Sequence, residues 1–559
     1  MPQSENPTPV FVFGLDGATW DIAQPLIAAG RMPNLARLMA RGTAGPLAST
    51  VPPISAAAWI TFLTGQNPGR HGVYQFRKMD MRQYGGYRDE FATSRDYAGR
   101  SFLDMVSQHG RRVASIGVPM TYPPFPVNGF LVSGFPRPFG PRAQAWPPEK
   151  AEALGRWDEV QDSFNFTLSA AKTVETSDYW VRRYTDIALD ALRNEHYDLL
   201  LVVWNSTDNI PHLFWRYTDP AFPAYDAAGA AEFSEVINHQ YEVADAEIGR
   251  LLAALPNPDE AIVLVMSDHG MGPHPHRAVN LGSWLAQQGY LALRRGQDTR
   301  PSLFSRSVAA VRRRIPRQWM DLLRNRMSAD LRANLYARQM NLDQLDWAAT
   351  RAYRMKVFPS VEGIVLNVAG RQPQGIVPPG AAYEALRDKL LIGLAALRDP
   401  VTGQPIVARA SRREDLFSGP FVSDIPDILL ELHPSYTGGS AMQGDLVAPL
   451  PLDELAAYSG SHHPTGLFVW SGPPIRAGQW LEGAAIQDLA PTLLHLMGLP
   501  VDAAMDGRVL EAVFTAEAAR PVVHASYQPS EQPADAVALT SAEEEAIRAQ
   551  LAGLGYLRD

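Results

Sequence analysis

Four short stretches of the 559-residue chain carry residues that could hold a metal ion. Asp16 and Gly17 follow the apolar run 10–15. Asp208 and His212 follow the run 198–204. Ser267-Asp268-His269-Gly270 follows the run 261–266. His462 and His463 precede the run 466–470. Each group falls at the end of an expected strand, and ligands of open α/β sheets bind outside the carboxyl ends of their strands. On a helix, the four-residue spacing puts Asp208 and His212 on one face, and Pro211 is tolerated there if it falls in the first turn. Three carboxylates and at least three imidazoles would then meet at one sheet edge, a costly arrangement unless a cation neutralises it. Imidazole with carboxylate suits zinc first and manganese second. Taken singly, each stretch also reads as a turn or a capping acid. Their common placement is what points to a metal site.

The stretch "VPPISAAAWITFLTG" places Ser55 after two prolines and directly before a helix. An N-cap serine would look the same. A serine at a helix N-terminus also sits in positive potential, beside N–H groups that can bind a phosphate oxygen. A metal on its oxygen would make it a nucleophile without a histidine as base.

The elements that must position these groups alternate between strands and helices. Runs 10–16, 198–204, 261–266, 427–432 and 466–470 read as buried strands, and 32–42, 56–65 and 486–498 as helices. This order predicts a mixed, mostly parallel sheet with helices on both faces. Residues 74–150, rich in Tyr, Pro and Arg, read as long loops. Residues 294–338 hold twelve arginines against Asp298, Asp321 and Asp330, a charge of +9 that leaves −18 for the rest of a chain whose net charge is −9. This stretch reads as an inserted cap. It would attract anionic substrates to an acidic cleft or rest on an anionic membrane surface. Residues 516–559 form a tail whose part 539–557 reads as an amphipathic helix behind a serine cap. The catalytic core is expected over 1–293 and 339–515.

Composition removes several classes. The absence of cysteine excludes disulfides, a thiolate nucleophile and cysteine-ligated zinc or iron–sulfur sites. Net negative charge argues against nucleic acid as a partner. No secretory leader or spanning apolar run is seen, which predicts a cytoplasmic protein.

Together the stretches "LDGATW", "MPNLARLMARG", "PPISAAAWITFLTGQNPGRHGV", "TDNIPH", "SDHGMG", "SGSHHPTG" and "IQDLAPTLLHLMGLP" resemble the alkaline phosphatase superfamily, in the branch of type I phosphodiesterases and nucleotide pyrophosphatases. The resemblance implies two divalent metals, usually zinc. One would lie on Asp16, Ser55, Asp268 and His269, and the other on Asp208, His212 and His462. It implies hydrolysis of a small anionic phosphate ester through a phosphoserine at Ser55. A phosphotransferase or mutase on the same core, a phosphomonoester or phosphonate hydrolase, and a non-catalytic binding protein are the alternatives. Relatives carry an asparagine five residues after the histidine that corresponds to His71. Here that position is Phe76, beside Gln75, so these two become the candidate substrate contacts. Sulfatases are argued against by Ser55-Ala-Ala-Ala-Trp59, which lacks their Pro and Arg.

Overall fold

The computed structural model describes residues 8–138, 142–155, 169–294, 342–529, 539–553 and 556. They fall into two compact units. One comprises residues up to Phe76 with Phe91–His274 and Pro451–Tyr556, and the other Arg77–Glu90 with Pro275–Leu450.

The first unit is built on a ten-stranded sheet. Its strands are β1 (Val10–Leu15), β2 (Gly42–Ala48), β3 (Val113–Ile116), β4 (Gly129–Val132), β5 (Ala145–Trp146), β6 (Leu199–Trp204), β7 (Ile262–Met266), β8 (Thr465–Ser471), β9 (Gln479–Trp480) and β10 (Ala484–Ala485). The order is β9-β2-β8-β7-β1-β6-β3-β4-β5, with β10 beside β2. At the centre, β1 runs parallel to β6 and β7, and β3 runs parallel to β6 and β4. β8 is antiparallel to both β2 and β7. The expected mixed, mostly parallel sheet is therefore present.

Strands buried on both faces need apolar side chains at every position, and β1, β6 and β7 are buried throughout. Phe11, Phe13 and Leu15 of β1 pack on one face with residues of α1 (Trp20–Ala28), α2 (Pro33–Ala40) and the helices Ala170–Asn194 and Val236–Ala253. Side chains alternate along a strand, so Gly14 points to the other face. There α3 (Ser55–Thr64) brings Trp59 so close that a Cβ on Gly14 would lie 2.7 Å from its ring.

Residues 74–150 are not only loops. They contribute β3, β4 and β5 to the central sheet, and a helix, Phe102–Gln108. The apolar runs "VASI" and "GFLV" are too short, and too closely flanked by Pro, Arg and Gly, to stand out by periodicity. The second unit has a four-stranded antiparallel sheet, ordered Ala352–Phe358, Val361–Leu366, Ile428–Leu432, Val407–Arg412. The strand expected at 427–432 belongs to it. Of the arginine-rich stretch 294–338, all but Arg294 lies outside the described residues. Among the described residues no helix is long and apolar enough to cross a membrane.

Candidate metal centre

Asp16 follows β1, and Gly17 after it adopts a left-handed φ of 73°. A side chain there would meet Cα and Cβ of Asp208 at 3.0 Å, so glycine lets the two segments touch. Ser267 ties the neighbouring turn in place: its Oγ donates to Ala18 O and accepts from Leu467 N, both at 2.8 Å.

After β6 the chain enters α4 (Ser206–Phe214). Asp208 stands in its first turn and His212 one turn later, with His212 Nε2 3.2 Å from Asp208 Oδ1. Pro211 lies inside this helix, beyond the first turn in which proline is tolerated without loss. It withholds one helical N–H, and the helix continues only to Phe214. Ser55 is the first residue of α3. The N-cap is Ile54, so Ser55 is not the cap and its hydroxyl is directed elsewhere. Its Oγ lies 3.2 Å from His269 Nε2 and donates to Asp16 Oδ1 at 3.4 Å.

All seven expected ligands are buried and meet in one place. His269 Nε2 is 3.5 Å from Asp16 Oδ1, 3.4 Å from Asp268 Oδ2 and 4.0 Å from Asp208 Oδ1. His462 Nε2 is 3.1 Å from Asp208 Oδ1 and 3.0 Å from His212 Nε2. The opposite ring nitrogens share a pattern. His212 Nδ1 donates to Gly460 O at 2.9 Å, His462 Nδ1 to Pro53 O at 2.8 Å and His269 Nδ1 to Gly270 O at 3.1 Å. A backbone carbonyl on one nitrogen sets the tautomer, so three Nε2 lone pairs face inward. Two carboxylate oxygens among them, Asp208 Oδ1 and Asp268 Oδ2, are buried without a hydrogen-bond donor. Acceptors crowded against acceptors are the donor set of a cation site. Two overlapping groups, Asp16/Asp268/His269 and Asp208/His269/His462, are close enough to hold an ion.

Electrostatics carry the same message. Burial, then the charges of Asp268 and Asp208, push the Asp16 carboxyl well above its ordinary range. Burial and Asp208 raise Asp268 to about 7. Burial holds His269 neutral. Burial works against Asp208 too; only when His212 and His462 carry protons on Nε2 do their charge and hydrogen bonds hold its carboxyl well below the usual range, and a bound cation takes the place of those protons. Protein groups alone do not let all three carboxylates ionise together.

His463, next to His462, falls on the other face of its strand and pairs across to Gly270. Phe76 packs its ring 4.7 Å from that of Tyr556 and 5.4 Å from Phe135, and Gln75 is buried. His71 hydrogen-bonds Thr61 Oγ1 at 3.0 Å and accepts from Val73 N at 3.2 Å. Asp488 and Asp506 accept backbone N–H groups of Ala485, Arg508 and Asn67, as turn residues do.

Two residues around Asp16 escaped the sequence reading. Asn205 Nδ2 donates to its Oδ2 at 2.8 Å and Trp59 Nε1 at 3.1 Å. Asn205 directly follows β6, so attention to strand ends could have found it. Trp59 carries no such signal.

No curated protein matches the chain. Among solved structures it is similar to murine ectonucleotide pyrophosphatase/phosphodiesterase 5, an inactive variant in complex with AMP. The TM-score is 0.44 at 13% identity, over 88% of this chain and 96% of that one. The family model "Type I phosphodiesterase / nucleotide pyrophosphatase" matches residues 10–437, a span that contains Asp16, Ser55, Asp208, His212, Asp268 and His269 and stops short of His462. With most of its length matched, the chain belongs to the type I phosphodiesterase/nucleotide pyrophosphatase family.

Proposed function

We propose that this chain, a member of a family that hydrolyses phosphoric ester bonds, cleaves small anionic phosphate diesters through a covalent phosphoseryl ester on Ser55, with two divalent metal ions as cofactors. Asp16, Ser55, Asp268 and His269 would hold one ion, and Asp208, His212 and His462 the other. Zinc fits the imidazole and carboxylate donors, with manganese second. Divalent ions bound there lower the pKa of a serine hydroxyl and neutralise charge on phosphoryl oxygens.

The chain's own groups supply the rest. Ser55 Oγ attacks phosphorus and gives up its proton to solvent, and the bond to the leaving group breaks in line with the attack, the departing alkoxide taking up a proton to leave as the alcohol. Water then displaces the serine by the same geometry, returning its hydroxyl and releasing the second product. Backbone N–H groups at the start of α3, beside Ser55, would be available to the phosphoryl oxygens. Asn205 and Trp59 hold Asp16 by one oxygen and leave the other facing Ser55.

The observation that carries this reading is the pair of orphaned carboxylate oxygens, Asp208 Oδ1 and Asp268 Oδ2, buried among three inward-facing imidazole nitrogens beside Ser55. The test is turnover of bis-p-nitrophenyl phosphate with metal analysis. Two divalent ions per chain, loss of turnover with chelator and recovery on adding zinc are expected. A metal-free chain whose turnover ignores chelator would sink the proposal.

A further inference from the structure

A residue far along the chain reaches the same site. Helix α5 (Ser541–Gly553) buries Ile547 and Leu551. It is fixed to the first unit by polar contacts as well. Tyr122 donates its hydroxyl to Glu543 Oε1 at 2.5 Å, and Arg137 N donates to Gln550 Oε1 at 3.0 Å. The Arg548 guanidinium lies 4.8 Å over the Phe91 ring. Just beyond α5, Tyr556 N donates to Leu551 O at 2.9 Å. The Tyr556 ring then stands between Phe76, at 4.7 Å, and Phe135 and His462, each at 6.0 Å. It lines one small cavity with Asp16, Ser55, Asn205 and Asp208.

The hydroxyl is the part that matters. It faces Asp208 Oδ2 at 3.5 Å, the outer limit of a hydrogen bond, with Ser55 also within reach. Aromatic packing fixes the ring, while the O–H has only a weak partner. A donor held rigidly but weakly engaged is ready for a better acceptor. A phosphate ester over Ser55 brings such acceptors in its non-bridging oxygens, and charge-assisted hydrogen bonds to them are the strong kind.

We propose that Tyr556 is a catalytic residue whose phenol O–H donates to a non-bridging phosphoryl oxygen of the substrate. This rests on the reading of Ser55 and its neighbours as a phosphoester site. The ring seat of Phe76 and Phe135 would make α5 part of the active site, supplying a donor that preorganises charge stabilisation where it develops.

The test uses the full-length, metal-loaded chain and two readouts: turnover of bis-p-nitrophenyl phosphate, and calorimetric binding of inorganic phosphate. Tyr556→Phe keeps the ring and removes only the donor. It is expected to lower kcat/KM and phosphate affinity by about 10- to 100-fold, the loss of one hydrogen bond to a charged group, with metal content unchanged. Tyr556→Phe that matches wild type in both readouts overturns the proposal. So does wild-type protein that binds no phosphate. Tyr556→Ala with faster turnover and tighter phosphate binding overturns it too, because the ring is then a plug. If wild type shows no turnover but Tyr556→Phe still loses phosphate affinity, Tyr556 stands as an anion donor and the hydrolytic reading fails.

Discussion

His462 and Pro53 are joined by a 2.8 Å hydrogen bond from the imidazole Nδ1 to the backbone carbonyl. The bond orients the ring so that Nε2 reaches Asp208 Oδ1 at 3.1 Å, and it anchors the segment two residues before Ser55. His462→Ala removes both ends of this link. The expected result is metal content falling from two toward one per chain, with turnover reduced by at least about 10²-fold, as for mutation of groups that orient or hold a metal. Elemental analysis and steady-state rates check it. A variant that keeps two ions removes His462 from the ligand set.

Ser55→Ala separates chemistry from metal binding. In the proposed two-ion site the serine is one of four donors to its ion, so metal content should hold near the wild-type value. Turnover should fall by about 10⁴-fold or more, the scale of a lost nucleophile. More than about a tenth of wild-type activity with metals in place means another group attacks phosphorus.

The site was legible where burial writes itself into the sequence. β1, β6 and β7 are covered on both faces, so their apolar runs are continuous, and Asp16, Asp208, Asp268 and His269 follow directly from where those runs stop. β3 and β4 have four residues each, too few to show a period among prolines and arginines. The run 427–432 was readable as a strand, but an apolar strand looks the same whichever sheet buries it. Tyr556 left no local signal, since its hydroxyl meets Asp208 across 348 residues of chain.

Gly14→Ala tests how the sheet positions the serine helix. The added methyl would lie 2.7 Å from the Trp59 ring and 2.8 Å from Val203 Cγ2, well inside contact distance. Trp59 also donates to Asp16, so moving it disturbs α3 and a proposed metal ligand together. Overpacking of this kind costs about 1–3 kcal/mol. A lower melting temperature with a clear loss of turnover is expected. Wild-type values for both would show that the helix does not depend on this contact.

The last prediction concerns Asp427 in the second unit, fully buried beside its sheet. Arg371 grips it in bidentate fashion, 2.6 Å to each carboxylate oxygen. Leu366 N donates to it at 2.7 Å and Tyr383 OH at 2.8 Å. Burial alone would raise its pKa, but hydrogen bonds and charge from Arg371, then Arg413, lower it below the ordinary carboxyl value. A depressed folded-state pKa means the unfolded chain binds more protons in the window between the two values, so stability rises with pH there. The contribution is complete above the unfolded carboxyl pKa of about 4 and is lost as pH falls through the lower, folded value. Asp427→Asn breaks a buried ion pair and should cost about 3–5 kcal/mol at neutral pH. The gap from wild type should stay level above about pH 5 and narrow below about pH 4. Amide exchange of Val361–Leu366, corrected for intrinsic rates, isolates this sheet. A gap that stays the same into strong acid would mean that Asp427 is not held as the charged partner of Arg371.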